Sequence, residues 1–255
     1  MIALPRIMVA PNGARLTKAD HSAVPTTISE IVQTAKDCWE AGAGGLHAHV
    51  RNRDQQHVLD AGLYRELSAE MRRQLPDMLV QITTEAVGRY TAEQQCQLVK
   101  DVRPPAVSIA LRELVPGLSQ KTVRSFYHWA YDAGVAVQHI LYDRGDIQRL
   151  AHLVEIGQIP KDGVQVLVVL GRYSPDHVSV PDDLTPLLEV LKHGCAQADW
   201  AVCAFGRNET ACLRYAADQG GKMRIGFENN TAQADGTIAP NNAARVDELI
   251  SALVG

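Results

Sequence analysis

The chain has 255 residues, of which 46% are hydrophobic and 21% are charged, and its formal net charge is -4. This profile is typical of an ordinary globular protein that forms one large α/β barrel or two small domains. The acidic balance provides no basic field, so the composition argues against nucleic acid or an anionic membrane as a partner.

Cysteine usage and hydropathy predict the compartment. The five cysteines are scattered and show no CxxC pair, which favours free thiols in a reducing environment. The apolar run in the N-terminal MIALPRIMVAPNG is too short for a signal peptide, and no run reaches the roughly 18 apolar residues of a membrane helix. The sequence therefore predicts a cytoplasmic protein that does not enter membranes.

Strand-like apolar segments alternate with helical patterns along the chain. The predicted strands are residues 6–13, 44–51, 77–85, 106–113, 135–143, 163–171, 199–207 and 222–230. A predicted helix follows each of them, and the first begins with a capping box of Thr27 and Glu30. Eight such units in about 250 residues predict an α/β fold, a single (β/α)8 TIM barrel domain over residues 1–255. The alternative is a doubly wound open sheet, but no GxGxxG motif follows the first strand.

The second predicted strand contains the pair His47 and His49. Side chains alternate along a strand, so both imidazoles point to one face while Leu46, Ala48 and Val50 point to the other. The apolar set suits the helix-facing side, which places both histidines inside the barrel, near the strand end where barrel active sites are built. Two imidazoles at this spacing can bind one divalent metal ion, although two buried structural histidines would also fit the pattern.

A third metal ligand is available on the eighth strand, in KMRIGFENN. If Met223, Ile225 and Phe227 face the helices, Arg224 and Glu228 face the lumen. Such charges are costly near a barrel axis unless they pair or bind a ligand. Strands two and eight both flank strand one, so Glu228 can reach the histidines and complete a zinc site.

Several stretches resemble the β-keto acid cleavage enzymes, the 3-keto-5-aminohexanoate cleavage enzyme family. They are NGARLTKADHSAVPTTISEI, EAGAGGLHAHVRN, VLVVLGRYS, WAVCAFGR and MRIGFENN, and they span nearly the whole chain. The resemblance implies a Zn²⁺-dependent (β/α)8 barrel, a homo-oligomer, that converts a β-keto acid and acetyl-CoA, or another CoA thioester, into acetoacetate and a new acyl-CoA.

The resemblance also implies roles for individual residues. The zinc ligands carry over onto His47, His49 and Glu228, and the active-site arginine onto Arg224. The hydroxyls that hold the substrate carboxylate fall on Thr83 and Ser108.

The sequence departs from the family at three places. Family members commonly have Asp where this chain has Asn229, a proposed catalytic position. If that aspartate serves as a proton acceptor, asparagine cannot replace it. On the fifth strand no carboxylate faces inward, so either His139 or Asp143 supplies the lost base or the chemistry differs. Arg15 stands where the enzymes for amino substrates carry an acid, so it predicts a neutral or anionic substrate side chain.

Four other residues have two interpretations each. Arg51 either meets an anion at the barrel mouth or caps an exposed helix, and Arg112 forms either a salt bridge or part of a pocket. His139 is either a structural residue or a ligand, and the structural interpretation is favoured because Gln138 and Ile140 suit the lumen. Arg207, at the end of strand seven, either binds CoA phosphates or pairs with an acid.

Two other functions compete with the acyl exchange. Metal-dependent hydrolases with an HxH motif usually carry it on strand one, with further histidines on strands five and six and an aspartate on strand eight. This chain has HxH on strand two and a glutamate on strand eight. The third hypothesis is a non-catalytic protein that binds keto acids and has kept the metal but lost its base. Asn229 supports this hypothesis because it stands where the family commonly has aspartate.

Overall fold

The computed structural model describes residues 1–174 and 178–254, in which eight parallel strands close into one barrel in the order β1 to β8. The strands are β1 Ile7–Val9, β2 Gly45–Ala48, β3 Leu79–Thr83, β4 Ala106–Ala110, β5 Ala136–Leu141, β6 Gln165–Leu170, β7 Asp199–Ala204 and β8 Lys222–Ile225. β1 pairs with both β2 and β8, which closes the barrel. The predicted (β/α)8 TIM barrel is confirmed.

Helices surround the barrel and follow the strands along the chain. They are α1 Ile28–Glu40, α2 Ala61–Gln74, α3 Ala92–Val102, α4 Leu111–Leu114, α5 Gln120–Asp132, α6 Arg144–Glu155, α7 Thr185–Gly194, α8 Glu209–Asp218 and α9 Asn242–Val254. The predicted capping box is confirmed, because the Thr27 side chain accepts a hydrogen bond from the Glu30 amide and the Glu30 carboxylate accepts one from the Thr27 amide. In the described part of the chain, no helix is both long enough and apolar enough to span a membrane.

The observed strands are shorter than the predicted ones, mostly at their carboxyl ends. The fourth was predicted to reach residue 113, but its pairing with β5 ends at Ala110 and α4 begins at the next residue. The second ends at Ala48, so His49 lies just beyond it. Residues after the last ladder bond leave the sheet and become loop, and in a barrel these loops build the active site.

Alternation along the strands produces two apolar layers. The outer layer packs on the helices and includes Val9, Leu46, Ile82, Val107, Val166 and Ile225. The lumen holds a smaller cluster that includes Ala110, Ile140, Leu167, Val169, Ala201 and Cys203. Polar side chains at the remaining inward positions therefore lie in a confined interior where each needs a partner.

Candidate metal centre and active site

The two histidines of the HxH motif converge as predicted. His47 and His49 are each 1% exposed, and their Nε2 atoms lie 3.1 Å apart. His47 is part of β2, and His49 follows it at the carboxyl end of the barrel. Alternation of side chains along the extended backbone places both rings in the same cavity.

Glu228 completes a three-residue cluster with these histidines. Its Oε2 lies 3.5 Å from Nε2 of His47 and 3.7 Å from Nε2 of His49, and has no hydrogen-bond partner among the described residues. One ligand atom from each of the three residues falls within 4.8 Å of the others. The carboxylate therefore lies across β1 from the imidazoles, as the strand order predicted.

Two glycines create the space in which Glu228 turns inward. Gly226, directly after β8, has φ of +139°, and a Cβ there would stand 2.5 Å from the Ala10 carbonyl oxygen. Gly13, after β1, has φ of +56°, and a Cβ there would stand 2.6 Å from Cγ of Glu228. Both positions combine a left-handed backbone with close approach, so a larger residue at position 13 would displace the Glu228 side chain and one at position 226 would clash with the Ala10 backbone.

The geometry of the cluster fits a tetrahedral divalent ion. A tetrahedral zinc ion with ligand bonds of about 2.0–2.1 Å has ligand–ligand edges of roughly 3.3 Å. The three edges between His47, His49 and Glu228 are 3.1, 3.5 and 3.7 Å. Two neutral imidazoles and one carboxylate are also the donor set of many catalytic zinc sites, in which the fourth position is left open.

Burial and neighbouring charges set the protonation state of the three residues. Burial, helped by Arg224, lowers the pKa of His47 to about 4. Burial and the charges of His57 and His47 also lower the pKa of His49. Burial acts to raise the pKa of Glu228, but Arg224 and His47 outweigh it and the pKa lies below its ordinary value. At neutral pH the cluster therefore presents two lone pairs and one carboxylate.

A chain of amides fixes the tautomer of His47. The Val166 carbonyl can only accept, so Gln138 donates to it through Nε2 at 3.3 Å. Gln138 Oε1 then accepts from Gln81 Nε2 at 3.0 Å, and Gln81 Oε1 accepts from Nδ1 of His47 at 2.8 Å. Because Nδ1 carries the proton, Nε2 keeps its lone pair for a metal ion.

Replacing Gln81 with leucine tests this chain. We expect the affinity of the protein for Zn²⁺ to fall about tenfold to a hundredfold, because Nδ1 of His47 loses its acceptor and the ring its orientation. Competition with a fluorescent zinc chelator measures the change. Gln165→Leu is the matched control, since Gln165 is equally buried in the barrel but bonds the Ile2 carbonyl. Equal zinc affinity in the wild-type protein and the Gln81 variant would contradict the assigned tautomer.

Arg224 projects from β8 into the lumen beside the cluster. It is 4% exposed, and Nη2 lies 3.3 Å from Oε1 of Glu228 and 3.5 Å from Sγ of Cys203. Its Nε and Nη1 have no partner among the described residues. Burial opposes the charged form, yet Glu228 raises the pKa of Arg224 above its ordinary value. The result is a permanent cation with free donors at the cavity wall.

A cavity of about 350 Å³ opens above the cluster at the carboxyl ends of the strands. Seven of the predicted site residues line it: Arg15, His47, His49, Thr83, Arg224, Glu228 and Asn229. The Thr83 hydroxyl accepts from the Glu85 amide at 3.0 Å, and its own proton is free to donate to a ligand.

Ser108 and Arg207 are placed differently. Ser108 pairs in register with Thr83 and is fully buried, but it does not line the cavity. Its hydroxyl has no partner among residues 1–174 and 178–254, which leaves it free for a group that enters the lumen. Arg207 is exposed on the loop after β7 and lies outside the cavity lining. The roles assigned to both residues stay predictions.

The sequence did not single out two charged residues that line the cavity. Glu85 follows β3 and pairs with Arg15, whose Nη1 lies 3.1 Å from Oε1 of Glu85. Burial, and then the charge of Glu228, raises the pKa of Glu85. Arg172, in the loop after β6, lies over the ring of Phe205 at 5.1 Å. The signal for both was their position, a charged side chain just past the end of a barrel strand.

The structure decides three of the open interpretations. Arg51 is buried and donates to backbone carbonyls of the loop after β1, so it neither meets an anion at the mouth nor caps an exposed helix. Arg112 forms salt bridges with Asp143 and Asp146, each at 2.6 Å. His139 faces outward against the ring of Tyr127, as expected for a structural residue.

Comparison with known proteins gives the family. The sequence model of the beta-keto acid cleavage enzyme family matches residues 6–254. The 3-keto-5-aminohexanoate cleavage enzyme of Fusobacterium nucleatum subsp. nucleatum is 27% identical over 256 aligned positions, and the alignment covers 96% of this chain and 89% of that protein. The 3-oxoadipate:acetyl-CoA acetyltransferase of Cupriavidus necator is 27% identical over 254 residues, covering 95% and 86%.

The fold is also similar to a solved structure, a binary complex of ObcA with oxaloacetate. The TM-score is 0.74 at 14% identity, and the match covers 91% of this chain but 64% of the length of ObcA. At this identity the likeness concerns the barrel fold alone. The match over nearly the whole sequence, together with a His–His–Glu cluster in the mouth of the barrel, leads to one conclusion: the chain belongs to the beta-keto acid cleavage enzyme family.

Proposed function

We propose that this protein is a zinc-dependent enzyme that exchanges an acyl group between a β-keto acid and a CoA thioester. The reaction is β-keto acid plus acetyl-CoA to acetoacetate plus a new acyl-CoA. The bond between the ketone carbon and the carboxymethyl group breaks, and so does the thioester bond of acetyl-CoA. The carboxymethyl group joins the acetyl carbon, and the CoA sulfur joins the former ketone carbon to give the new acyl-CoA. The observation that carries the proposal is the cluster of His47, His49 and Glu228 within a chain of this family.

His47, His49 and Glu228 would hold the zinc ion, through Nε2, Nε2 and Oε2 respectively. When bound, the ion would supply Lewis-acid chemistry that stabilises negative charge on the ketone oxygen of the substrate. The Gln81 amide keeps His47 in the tautomer that this site requires.

The residues around the cluster orient the substrate in this proposal. Thr83 and Ser108 lie side by side on β3 and β4, and their hydroxyls would hold the carboxylate of the keto acid. Nε and Nη1 of Arg224 have no partner among the described residues, so Arg224 would stabilise the oxyanion or orient the carboxylate. Neither role requires Arg224 to lose a proton.

The mouth of the cavity suits a neutral or anionic substrate side chain and an anionic cosubstrate. Arg15 and Arg172 line it, and Arg15 forms a salt bridge with Glu85. The phosphates of CoA would approach from the loops after β6 and β7, where Arg172 and the exposed Arg207 lie. Arg207 stays a proposed CoA contact on this basis.

A panel of substrates tests the function. We expect acetyl-CoA-dependent formation of acetoacetate with β-keto acids whose side chain is neutral or carboxylate-bearing. For an acid that carries an ammonium group we expect kcat/KM to fall to about one tenth of the value for these acids or below, because Arg15 and Arg172 repel the ammonium group. Product analysis by mass spectrometry measures both. Hydrolysis without a new acyl-CoA would favour the hydrolase, and binding without turnover of any acid would favour the non-catalytic binder.

A further inference from the structure

A buried carboxylate contacts the residue that stands where the family commonly has aspartate. Asn229 lines the cavity and is 7% exposed. Its Nδ2 donates to Oε1 of Glu209 at 3.1 Å and to the backbone oxygen of Arg224 at 3.3 Å. Both amide protons are used, so the orientation of the Asn229 side chain is fixed.

Glu209 is itself held rigidly behind the cavity wall. It is fully buried at the start of α8, and Oε2 accepts from Nη2 of Arg245 at 2.8 Å. Its Oε1 also accepts from the Gly226 amide at 3.4 Å. Arg245, on α9, is fully buried too and makes a second ion pair with Glu248. The carboxylate thus connects α8 and α9 to the turn that carries Glu228 and Asn229.

The fixed orientation leaves one atom of Asn229 unused. Oδ1 has no hydrogen-bond partner among the described residues, although Asn229 is more than nine-tenths buried at the cavity wall. A buried carbonyl oxygen without a partner is costly unless a ligand donates to it. An aspartate at position 229 would instead place a carboxylate oxygen about 3 Å from that of Glu209, and two such charges repel.

We propose that Glu209 is a positioning residue that orients Asn229, so that Oδ1 is presented to a hydrogen-bond donor of the bound substrates. We further infer that residues 209 and 229 form an exchangeable pair of one carboxylate and one amide. The pair tolerates aspartate at position 229 only when position 209 carries glutamine. This inference rests on the proposed function for the identity of the ligand, but not for the coupling between the two residues.

A double-mutant cycle tests the pair. The variants are Asn229→Asp, Glu209→Gln and the double variant, with melting measured in EDTA at about pH 8.5 so that carboxylates are ionised. The pKa of Glu209, raised by burial to about 7, lies below this pH. We expect Asn229→Asp to lower the melting temperature by about 4–8 °C, and the double variant to regain at least half of that loss. Purely additive losses would overturn the exchangeable pair.

Glu248→Gln is the matched control. Glu248 also contacts Arg245, but no contact with Asn229 is present among the described residues, so its effect is expected to add to that of Asn229→Asp. Coupling of the same size in this control would show only a general weakening around Arg245, and would overturn the specific pairing.

Kinetics of the same variants test the positioning role. We expect Asn229→Asp to raise KM for one substrate about tenfold. The double variant is expected to restore KM to within about threefold of the wild-type value, because the side-chain oxygen at position 229 again points to the substrate donor. KM is measured for the keto acid and for acetyl-CoA separately, which identifies the donor. Unchanged KM values in a folded Asn229→Asp variant would overturn the role. If the wild-type protein shows no turnover, the proposed function fails, whereas the melting cycle still decides the pairing.

Discussion

Replacing His47 with alanine is expected to remove the divalent ion and to lower kcat/KM about a thousandfold or more. His47 supplies one of three ligand atoms, and two ligands hold zinc weakly at neutral pH. A Lewis acid that stabilises a developing oxyanion lowers the activation free energy by several kcal/mol, and each 1.36 kcal/mol changes the rate tenfold. Metal content by mass spectrometry and acetyl-CoA-dependent turnover measure the two effects.

His139→Ala is the matched control for this variant. His139 is also a fully buried histidine of the barrel, but it packs on Tyr127 on the outer side of β5. We expect His139→Ala to lower the melting temperature while the purified protein keeps its metal and its turnover. Full activity of His47→Ala with its metal lost would contradict metal-dependent catalysis.

Replacing Arg224 with methionine is expected to lower kcat about a hundredfold to a thousandfold, while the metal content stays close to that of the wild type. Removing one preorganised donor to an oxyanion typically costs about this much. Because Arg224 is a cation beside the cluster, its loss does not weaken attraction for another cation. Steady-state kinetics and metal analysis of the same preparation separate chemistry from metal binding.

Arg224→Lys serves as the comparison that keeps the charge. Lysine keeps the positive charge but lacks the planar guanidinium, which can donate to Glu228 and to a ligand at the same time. We therefore expect an activity between those of the wild type and the methionine variant. Wild-type kcat in Arg224→Met would remove Arg224 from the proposed chemistry.

The barrel and the centre of the site could be predicted from sequence because both depend on local periodicity. Alternation along β2 and β8 placed His47, His49 and Arg224 in the lumen, and the parallel strand order placed Glu228 opposite the histidines. These inferences need only the spacing of side chains and the closure of the barrel, which periodic patterns carry.

Residues whose role depends on three-dimensional packing could not be predicted from the sequence. Gln81 contacts His47 from a neighbouring strand, and its role depends on a chain of amides that begins at Val166. Glu209 contacts Asn229 from α8, while Arg245 of α9 binds its other carboxylate oxygen. No short sequence pattern records such contacts, since the partners are separated by at least 20 residues.

Loop residues were the hardest to predict. Arg51 follows the HxH motif and was expected at the mouth or on a helix end, yet it turns inward and binds the carbonyls of the loop after β1. Arg15 was expected to select a neutral or anionic substrate side chain, and its pairing with Glu85 was not predicted. Periodicity ends with the strand, so the direction of a loop side chain depends on which backbone acceptors or charges surround it.

Anomalous diffraction at the zinc edge from crystals of the purified protein tests the central claim most directly. We predict a single peak at the barrel mouth, about 2.0–2.2 Å from Nε2 of His47, Nε2 of His49 and a carboxylate oxygen of Glu228. Absence of a peak there in catalytically active crystals, or a peak bound by other residues, would contradict the assigned metal centre.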